Sequence, residues 1–430
     1  MYKSNSLPVW ARTGIITAFT LSVFSAAQAQ GDNLSYADPE SVGMSSAALA
    51  RLDPLLQSYV DSGELVGVVS MVARKGEVVH FKEFGTLNRD TGQEMEKDSL
   101  FRIYSMTKPI TTVAAMMLYE EGKLQLTDPV AKYLPELADL KAMSSGGAMV
   151  APARPMTVQM LMSHTSGLTY GVFGDTVVDR QYRDASILGN QDLAEMISRL
   201  SSIPLQYQPG TRFHYSVSTD VLGRLVEVVS GQSLDEFFRT RIFEPLQMRD
   251  TFFSVPADKL PRFGTNHSYD PATQTLEVID RPAGSQFTGD VTFFSGGGGL
   301  VSSAEDYMRF SQMMLNGGEL DGVRILGSKT VEYMTRNHLP GIFAEPGSGH
   351  ELPGFARGTG FGLGFAILED PAATGSIGSP GEYYWGGAAG TIFWIDPVEE
   401  LIGVVMIQHM NVRVPLRNAF KAITYGAITD

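Results

Sequence analysis

The stretch IYSMTKPITT, residues 103–112, places a serine and a lysine three positions apart in a run with no other charge. Pro109 follows directly, and because proline fits a helix only in its first turn, we expect a helix to begin here. The apolar residues that follow recur at helical spacing and predict one buried stripe: Ile110, Val113, Ala114, Met117 and Leu118. Side chains three apart are neighbours on a helix, so Lys108 should lie over the hydroxyl of Ser105.

This pair has the chemistry of a nucleophile and its base. A serine hydroxyl becomes a nucleophile when a neighbouring base takes its proton. Burial lowers the pKa of a lysine, so Lys108 is a candidate base for Ser105. The free N–H groups at the start of the helix are candidate donors to an oxyanion. No other Ser-x-x-Lys occurs in the chain, yet the pattern alone also fits a helix start whose lysine reaches toward solvent.

The first 29 residues have the pattern of an export signal. Lys3 and Arg12 are the only charged residues before position 32, an apolar run follows, and AQA at 27–29 supplies the small residues of a cleavage site. We therefore expect cleavage after Ala29 and a periplasmic or fully secreted product. The apolar run is too short to span a bilayer, so a membrane anchor is the weaker alternative.

The composition narrows the function classes. The chain has no cysteine, which excludes disulfides, a thiol nucleophile and thiolate metal sites. Its net charge is −14, about −16 without Lys3 and Arg12, and such a field repels nucleic acids and anionic lipids. The sequence holds no clustered metal ligands and no Gly-x-Ser-x-Gly elbow, and no Lys-Ser/Thr follows the four glycines at 296–299, so they predict a structural turn. We expect no metal, no cofactor, no nucleic-acid partner and no membrane attachment after cleavage.

Strand patterns lie at both ends of the chain and helix patterns lie between them. The strands of an antiparallel sheet are predicted within 65–92, turning at Lys75-Gly76, and at 360–368, 391–397 and 400–409. Helices are predicted at 44–63, 157–164, 191–202, 218–231, 233–243, after 302 with Ser302 and Glu305 as a capping box, and after 415. We expect an α/β domain from 30–100 and 290–430, an inserted mostly helical domain from 101–289, and a site in the cleft between them.

Two further stretches support the serine. FHYSVSTD (213–220) places Tyr215 before a helix, and YYWGGAAGT (383–391) leads into a strand. With these motifs in this order the chain resembles the serine β-lactamase and penicillin-binding-protein superfamily, and most closely the family VIII carboxylesterases, which look like class C β-lactamases. The resemblance covers roughly residues 35–425 and implies a class C β-lactamase-like fold, an antiparallel sheet flanked by helices.

The resemblance also implies roles for individual residues. Ser105 is the nucleophile and Lys108 its activating partner. Tyr215 protonates the leaving group and later activates water, which we expect to require a phenol whose pKa is lowered by Lys108. The oxyanion hole is formed by the backbone N–H groups of Ser105 and Ala388.

Two motifs depart from those of the lactamases, which carry Tyr-x-Asn and Lys-Thr-Gly. Here the first ends in Val217 and the second is Trp385-Gly386-Gly387. Val217 removes an amide that would hold a substrate amide, and Trp385 replaces a cation with an indole. Gly386 and Gly387 let a substrate approach the strand edge. We therefore expect these four residues to bind substrate, with an apolar wall suited to the acyl or alcohol chains of esters.

Three basic residues are further candidates. His409 follows the last strand, which should flank the site, so we assign it as a substrate contact. His164, in SHTSGL, fits a structural histidine better than a catalytic base. Arg413 is either an anchor for an acidic substrate group or a surface charge.

The sequence thus predicts a serine hydrolase that forms an acyl-enzyme at Ser105 and hydrolyses carboxylic esters with short to medium acyl chains. Three alternatives stay open. They are a β-lactamase or D-amino-acid peptidase, an acyltransferase that uses an acceptor other than water, and a penicillin-recognising module that binds without turnover. The substrate is a small molecule in each case, and the sequence makes no prediction of the oligomeric state.

Overall fold

The computed structural model describes Met1 and residues 34–189, 191–270, 272–273, 275–339 and 357–430. The predicted export signal, apart from its first residue, and its cleavage site lie outside the described residues. Within these ranges no helix is long and apolar enough to cross a membrane.

Short strands and helices alternate along the chain. The strands are β1 (Ser35–Tyr36), β2 (Gly67–Arg74), β3 (Glu77–Asn88), β4 (Gln93–Glu94), β5 (Phe101–Arg102), β6 (Ala142–Met143), β7 (Met149–Val150), β8 (Asn266–Asp270), β9 (Thr275–Asp280), β10 (Val301–Ser302), β11 (Glu319–Leu320), β12 (Val323–Arg324), β13 (Thr359–Phe361), β14 (Ala366–Leu368), β15 (Tyr383–Gly386), β16 (Ile392–Asp396), β17 (Leu401–Met406) and β18 (His409–Met410). The α-helices are α1 (Ser46–Leu49), α2 (Leu52–Asp61), α3 (Thr107–Glu120), α4 (Val158–Met162), α5 (Val177–Asp184), α6 (Leu193–Leu200), α7 (Ser218–Ser230), α8 (Leu234–Phe238), α9 (Ala304–Leu315), α10 (Ser328–Met334), α11 (Pro371–Thr374) and α12 (Leu416–Gly426).

A large sheet is assembled from both ends of the chain. Its strand order is β1-β3-β2-β17-β16-β15-β14-β13, and β4 pairs with the C-terminal end of β3. β1 and β3 are parallel, whereas the other neighbours are antiparallel. β2 and β3 turn at Lys75-Gly76, as predicted, and both turn residues have the positive φ that a tight hairpin requires. The pairing of β2 with β17 joins the two ends, as the strand patterns predicted.

Alternation along the central strands directs side chains to the two faces of the sheet. On β2, Val68 and Val72 pack in a core shared with α1, α2 and α12. Val69 and Met71 point the other way, into a larger core that includes α3 and α9. Helices therefore cover both faces, which confirms the predicted class of an antiparallel sheet flanked by helices.

Helix α3 lies in the interior of the molecule. Every residue from 107 to 118 is buried, so the helix is buried on all sides and not only along the predicted stripe. Pro109 lies in its first turn, as predicted. The helix packs against α7 and α8. A helix in this position carries Lys108 away from solvent.

The helix after residue 302 begins one residue later than predicted. Ser303 is the N-cap of α9, and its hydroxyl accepts the N–H of Asp306. Ser302 belongs instead to β10, and its hydroxyl is 2.8 Å from that of Thr251. The predicted capping box of Ser302 and Glu305 is therefore wrong, because strand pairing takes up Ser302.

The described residues from 34 to 430 cluster as one compact unit. The segment from 101 to 289 holds six of the twelve α-helices of the described residues, and it also contains the hairpin of β8 and β9, which pairs with β18. The boundaries of the two expected sub-domains stay a prediction.

Candidate active site

Ser105 lies in a constrained turn just before α3. A one-turn 3-10 helix, Tyr104–Met106, joins β5 to α3. Tyr104 has a φ of +41°, a left-handed conformation that residues with side chains seldom adopt. Its ring packs edge-on to Phe287 with centroids 5.7 Å apart, and its hydroxyl accepts from Asn266 Nδ2 at 3.1 Å. A strained backbone conformation of this kind persists only where surrounding contacts fix it, as the contacts of the Tyr104 side chain do here. The next residue in this turn is the half-buried Ser105.

The three predicted catalytic side chains meet at one point. Lys108 Nζ lies 3.2 Å from Ser105 Oγ, and the Tyr215 hydroxyl donates to the same oxygen at 2.7 Å. Tyr215 lies a few residues before α7, which packs directly on α3. The packing of these two helices brings together residues that are far apart in the sequence.

Lys108 is buried and does not reach toward solvent. Its side chain is 1% exposed. The ammonium donates to the Gly297 carbonyl at 2.5 Å and to the Tyr170 hydroxyl at 2.8 Å. Burial lowers the pKa of Lys108 to about 7, although the Asp220 carboxylate opposes this shift. Near neutral pH a substantial fraction of such a lysine is uncharged and able to accept the proton of Ser105.

The pKa of Tyr215 differs from the sequence-based expectation. Burial raises the pKa of this phenol above its ordinary value of 10.0, and hydrogen bonds with Ser105 and Trp385 lower it only in part. The Lys108 ammonium lies over the face of the Tyr215 ring, 4.6 Å from its centroid, and donates to Tyr170. The prediction of a lowered pKa is therefore wrong, because the cation faces the ring and desolvation dominates. Tyr215 stays protonated and is suited to donate a proton.

Sequence reasoning missed two residues around Lys108. Tyr170 follows the LMSHTSGL loop by two residues, and its ring centroid is 5.2 Å from that of Tyr215. Asp220, at the start of α7, is fully buried and accepts the Gly297 N–H at 3.0 Å. Burial raises the pKa of Asp220, while Lys108 opposes that rise. The one signal for Asp220 in the sequence is its position five residues after Tyr215, at the same helix start.

The glycines at 296–299 form a turn that lies against α3. Thr111 Oγ1 donates to the Gly296 carbonyl at 2.7 Å. A Cβ on Gly297 would lie 2.4 Å from Asp220 Oδ2. Glycine is thus needed for the backbone to pass between Asp220 and Lys108 and to offer the lysine a carbonyl.

The predicted oxyanion hole consists of the N–H groups of Ser105 and Ala388. The first helical hydrogen bond after β5 runs from the Met106 N–H to the Ile103 carbonyl, so the Ser105 N–H precedes it. Ala388 is exposed just after β15. A Cβ on Gly387 would lie 2.5 Å from the Ile103 carbonyl oxygen, so this strand end closely approaches the Ser105 turn. Within the described part of the chain neither N–H has a hydrogen-bond acceptor, which leaves both available to a ligand.

Trp385 lies at the site, as predicted. Its ring centroid is 5.6 Å from that of Tyr215 and 5.4 Å from that of Phe361. Gly386 ends β15 and Gly387 continues to the exposed Ala388. This strand therefore forms one wall beside Ser105, with the indole packed on the phenol of Tyr215.

The structure does not support substrate contacts by the side chains of Val217 and His409. Val217 is fully buried in the core beneath the site. His409 is 3% exposed and lines a small cavity together with His267. Burial, with His267, lowers the pKa of His409 to about 4. Its backbone N–H donates to the Ala389 carbonyl at 2.9 Å, so His409 supports the turn after Ala388. These two assignments are corrected because packing, rather than proximity in sequence, decides which way each side chain points.

The remaining candidates have structural contacts. His164 is buried, its Nδ1 is 3.4 Å from Ser216 Oγ, and its ring centroid is 4.7 Å from that of Tyr215. Desolvation lowers the pKa of His164 well below 6.5, which fits the structural histidine. Arg413 is exposed and stacks on Tyr269 at 4.1 Å. Within the described ranges no three His, Cys, Asp or Glu side chains are placed to hold a metal ion.

Comparison with known proteins assigns the fold to a family. The model of the beta-lactamase family matches residues 52–425. The chain belongs to the beta-lactamase family. It is a serine hydrolase of the β-lactamase fold that has esterase homologues. This confirms the predicted superfamily and fold class.

Three relatives illustrate the range of the family. Protein Rv1367c of Mycobacterium tuberculosis (strain ATCC 25618 / H37Rv) is 34% identical over 363 residues, which are 82% of this chain and 88% of that protein. Esterase EstB of Burkholderia gladioli is 33% identical over 380 residues, 84% of this chain and 90% of EstB. The structure of EstCE1, described as a hydrolase with promiscuous acyltransferase activity, superposes with a TM-score of 0.76 at 28% identity, covering 88% of this chain and 99% of EstCE1.

Proposed function

We propose that this chain is a carboxylesterase that forms an acyl-enzyme at Ser105 and hydrolyses carboxylic esters with short to medium acyl chains. The observation that carries the proposal is the convergence of Lys108 Nζ and the Tyr215 hydroxyl on Ser105 Oγ. The likeness to EstB and EstCE1 supports esters as the substrate class. The export pattern at residues 1–29 supports a periplasmic or secreted location, which cell fractionation tests.

Acylation follows from the contacts around Ser105. Neutral Lys108 takes the hydroxyl proton while Ser105 Oγ attacks the ester carbonyl carbon. The negative charge that develops on the carbonyl oxygen is stabilised by the N–H groups of Ser105 and Ala388. The bond to the alcohol oxygen then breaks, and the departing oxygen takes the proton of Tyr215. The products of this step are the acyl-serine, the free alcohol, a protonated Lys108 and a Tyr215 phenolate.

Deacylation returns both protons. The Tyr215 phenolate takes a proton from water as the water oxygen attacks the acyl carbonyl. The bond to Ser105 Oγ breaks, and the serine oxygen takes back the proton held by Lys108. The carboxylic acid leaves, and the resting state of neutral Lys108 and protonated Tyr215 is restored.

The electrostatics of the site favour esters over amides. A phenol with a raised pKa is a weak acid, and an amine leaving group depends more on protonation than an alkoxide does. Trp385 places an indole where lactamases carry a lysine, so the side chain at this position supplies no cation to hold a substrate carboxylate. We therefore expect ester turnover to exceed lactam turnover.

The test is the set of initial rates on p-nitrophenyl acetate, butyrate and octanoate and on a chromogenic cephalosporin. Ser105→Ala removes the nucleophile, and Ser62→Ala, an exposed serine after α2, is the matched control. We expect rapid ester turnover that Ser105→Ala abolishes and Ser62→Ala leaves unchanged, with slow or absent lactam turnover. Lactam turnover equal to ester turnover would make the chain an amidohydrolase. Absence of turnover on both would favour a binding module.

A further inference from the structure

A loop beside the catalytic pair exposes two apolar side chains. Val172 is 59% exposed and Phe173 is 62% exposed. Of the phenylalanines in the described ranges, only Phe173 has this degree of exposure. A single exposed apolar side chain needs no explanation, but two adjacent ones next to a catalytic site indicate a surface that a ligand covers.

Arg183 of α5 holds this loop in place from one side. Its guanidinium donates to the carbonyl of Gly171 and, at 3.1 Å, to that of Gly174. The same guanidinium pairs with the Asp175 carboxylate at 2.5 Å. Gly171 has a φ of +77°, and a Cβ there would lie 2.7 Å from the Cβ of Tyr182. The loop can therefore follow this path only with glycine at position 171.

Asp179 ties the two ends of the loop together. One carboxylate oxygen accepts from the Thr169 hydroxyl at 2.6 Å, and the other accepts from the Thr176 hydroxyl at 2.8 Å. The Thr176 hydroxyl in turn accepts the Asp179 N–H, which completes a capping box at the start of α5. Asp179 is itself 3% exposed. Because buried polar contacts fix both ends of the loop, the conformation of the loop itself exposes the side chains of Val172 and Phe173.

The loop turns Phe173 toward the leaving-group side of the site. Its ring centroid is 5.5 Å from that of Tyr170 and 6.1 Å from that of Tyr215. In the proposed mechanism Tyr215 protonates the departing alcohol, so the alcohol part of the ester lies on the Tyr215 side of Ser105, next to this loop. The acyl part occupies the opposite side, held by the N–H groups of Ser105 and Ala388.

We propose that Val172 and Phe173 form an alcohol-side recognition wall, so that the enzyme prefers esters of large apolar alcohols, above all aromatic ones. The inference rests on the proposed function and names its substrate class. A bound aromatic ring covers the exposed phenyl face of Phe173 and removes apolar surface of both partners from water. A small alcohol leaves the apolar surface of this wall exposed to water, so its ester gains no binding energy from the wall.

The experiment compares two acetates whose alcohols are both good leaving groups but differ in apolar area, 2-naphthyl acetate and 2,2,2-trifluoroethyl acetate. We expect Phe173→Ala to lower kcat/KM about tenfold on the naphthyl ester and less than about twofold on the trifluoroethyl ester. Phe173→Leu, which keeps part of the apolar area, should lie between. Val172→Ala should cost about two- to threefold on the naphthyl ester alone. Val398→Ala, at a 65% exposed valine in the turn after β16, is the matched control and should change nothing.

Equal losses of kcat/KM in Phe173→Ala on both acetates would overturn the inference. So would a change, in the same variant, in the ratio of the rates on p-nitrophenyl octanoate and p-nitrophenyl acetate, because this ratio reports recognition of the acyl chain. Binding of 2-naphthol to the Ser105→Ala protein, followed by its fluorescence, tests the wall without turnover. Phe173→Ala should weaken this binding about tenfold, and unchanged binding would contradict the wall. Absence of ester turnover by the parent protein together with Phe173-dependent naphthol binding would refute the proposed function while supporting the wall.

Discussion

Replacing Asp220 with asparagine should move the pH dependence of catalysis. Asp220 lies on the far side of Gly297 from Lys108, bonded to the Gly297 N–H at 3.0 Å while Lys108 bonds the Gly297 carbonyl at 2.5 Å. The ammonium and the carboxylate are therefore at most about 9 Å apart, given the breadth of one residue. Asparagine keeps the acceptor for Gly297 and removes the charge.

The size of the effect follows from the separation of the charges. At an effective dielectric constant of about 20, two unit charges about 9 Å apart interact by about 2 kcal/mol, which exceeds one pKa unit. The Asp220 carboxylate stabilises the charged lysine, so its loss lowers the pKa of Lys108 from about 7 to about 6 or below. Because neutral Lys108 is the active form, kcat/KM rises with pH through this pKa. Asp220→Asn should therefore retain activity to lower pH.

The assay is the pH profile of kcat/KM for p-nitrophenyl butyrate, which reports the free enzyme. Asp306→Asn is the matched control, because Asp306 is also a buried carboxyl whose pKa burial raises to about 7. Each variant buries an amide N–H₂ in place of a carboxylate oxygen and should be destabilised by about 1–3 kcal/mol, which thermal unfolding measures. If the midpoint of the acidic limb of the kcat/KM profile stays at about pH 7 in Asp220→Asn, Lys108 is not the titrating base. The same conclusion follows if the midpoint moves in Asp306→Asn instead.

Three further changes have defined outcomes. Tyr215→Phe should reduce kcat/KM, which covers the steps up to acylation, by about 10²–10⁴ on ethyl esters and by less on p-nitrophenyl esters, since the latter need little proton donation; equal losses in kcat/KM on the two kinds of ester would contradict its role as the acid. Gly387→Ala should lower kcat by about 10²–10³, because the new Cβ meets the Ile103 carbonyl oxygen and displaces the oxyanion strand; unchanged kcat would remove Ala388 from the oxyanion hole. Gly403→Ala should lower the free energy of unfolding by about 1–3 kcal/mol, because its Cβ would lie 2.2 Å from the Trp394 ring, and denaturant titration checks this while kcat serves as the control.

The sequence predicted the placement of Ser105 and Lys108 at the start of a helix because local patterns determine it. Ser105 and Lys108 are separated by one helical turn, and Pro109 fixes where that turn begins. The resemblance to the serine β-lactamase and penicillin-binding-protein superfamily, which rests on the order of three motifs, implied that Tyr215 and Trp385 would meet this turn. The pairing of strands from the two chain ends followed from their positions on either side of a helical segment.

The rest depends on packing that no local pattern encodes. Tyr170 follows a loop without periodicity, and Asp220 has the appearance of an ordinary acidic residue in a first helical turn. Val217 and His409 were assigned to the site from their distance to motifs in the sequence, whereas packing buries both side chains. The pKa of Tyr215 was predicted with the wrong sign because the sequence does not show which part of the phenol the Lys108 ammonium faces.

The central claim is that Ser105 carries the acyl group, and mass spectrometry of protein quenched during turnover of p-nitrophenyl butyrate tests it most directly. The account predicts a mass increase of one butyryl group, located on the peptide that contains Ser105 and absent from Ser105→Ala. A butyryl group on another residue, or full ester turnover by Ser105→Ala without an adduct, would contradict it.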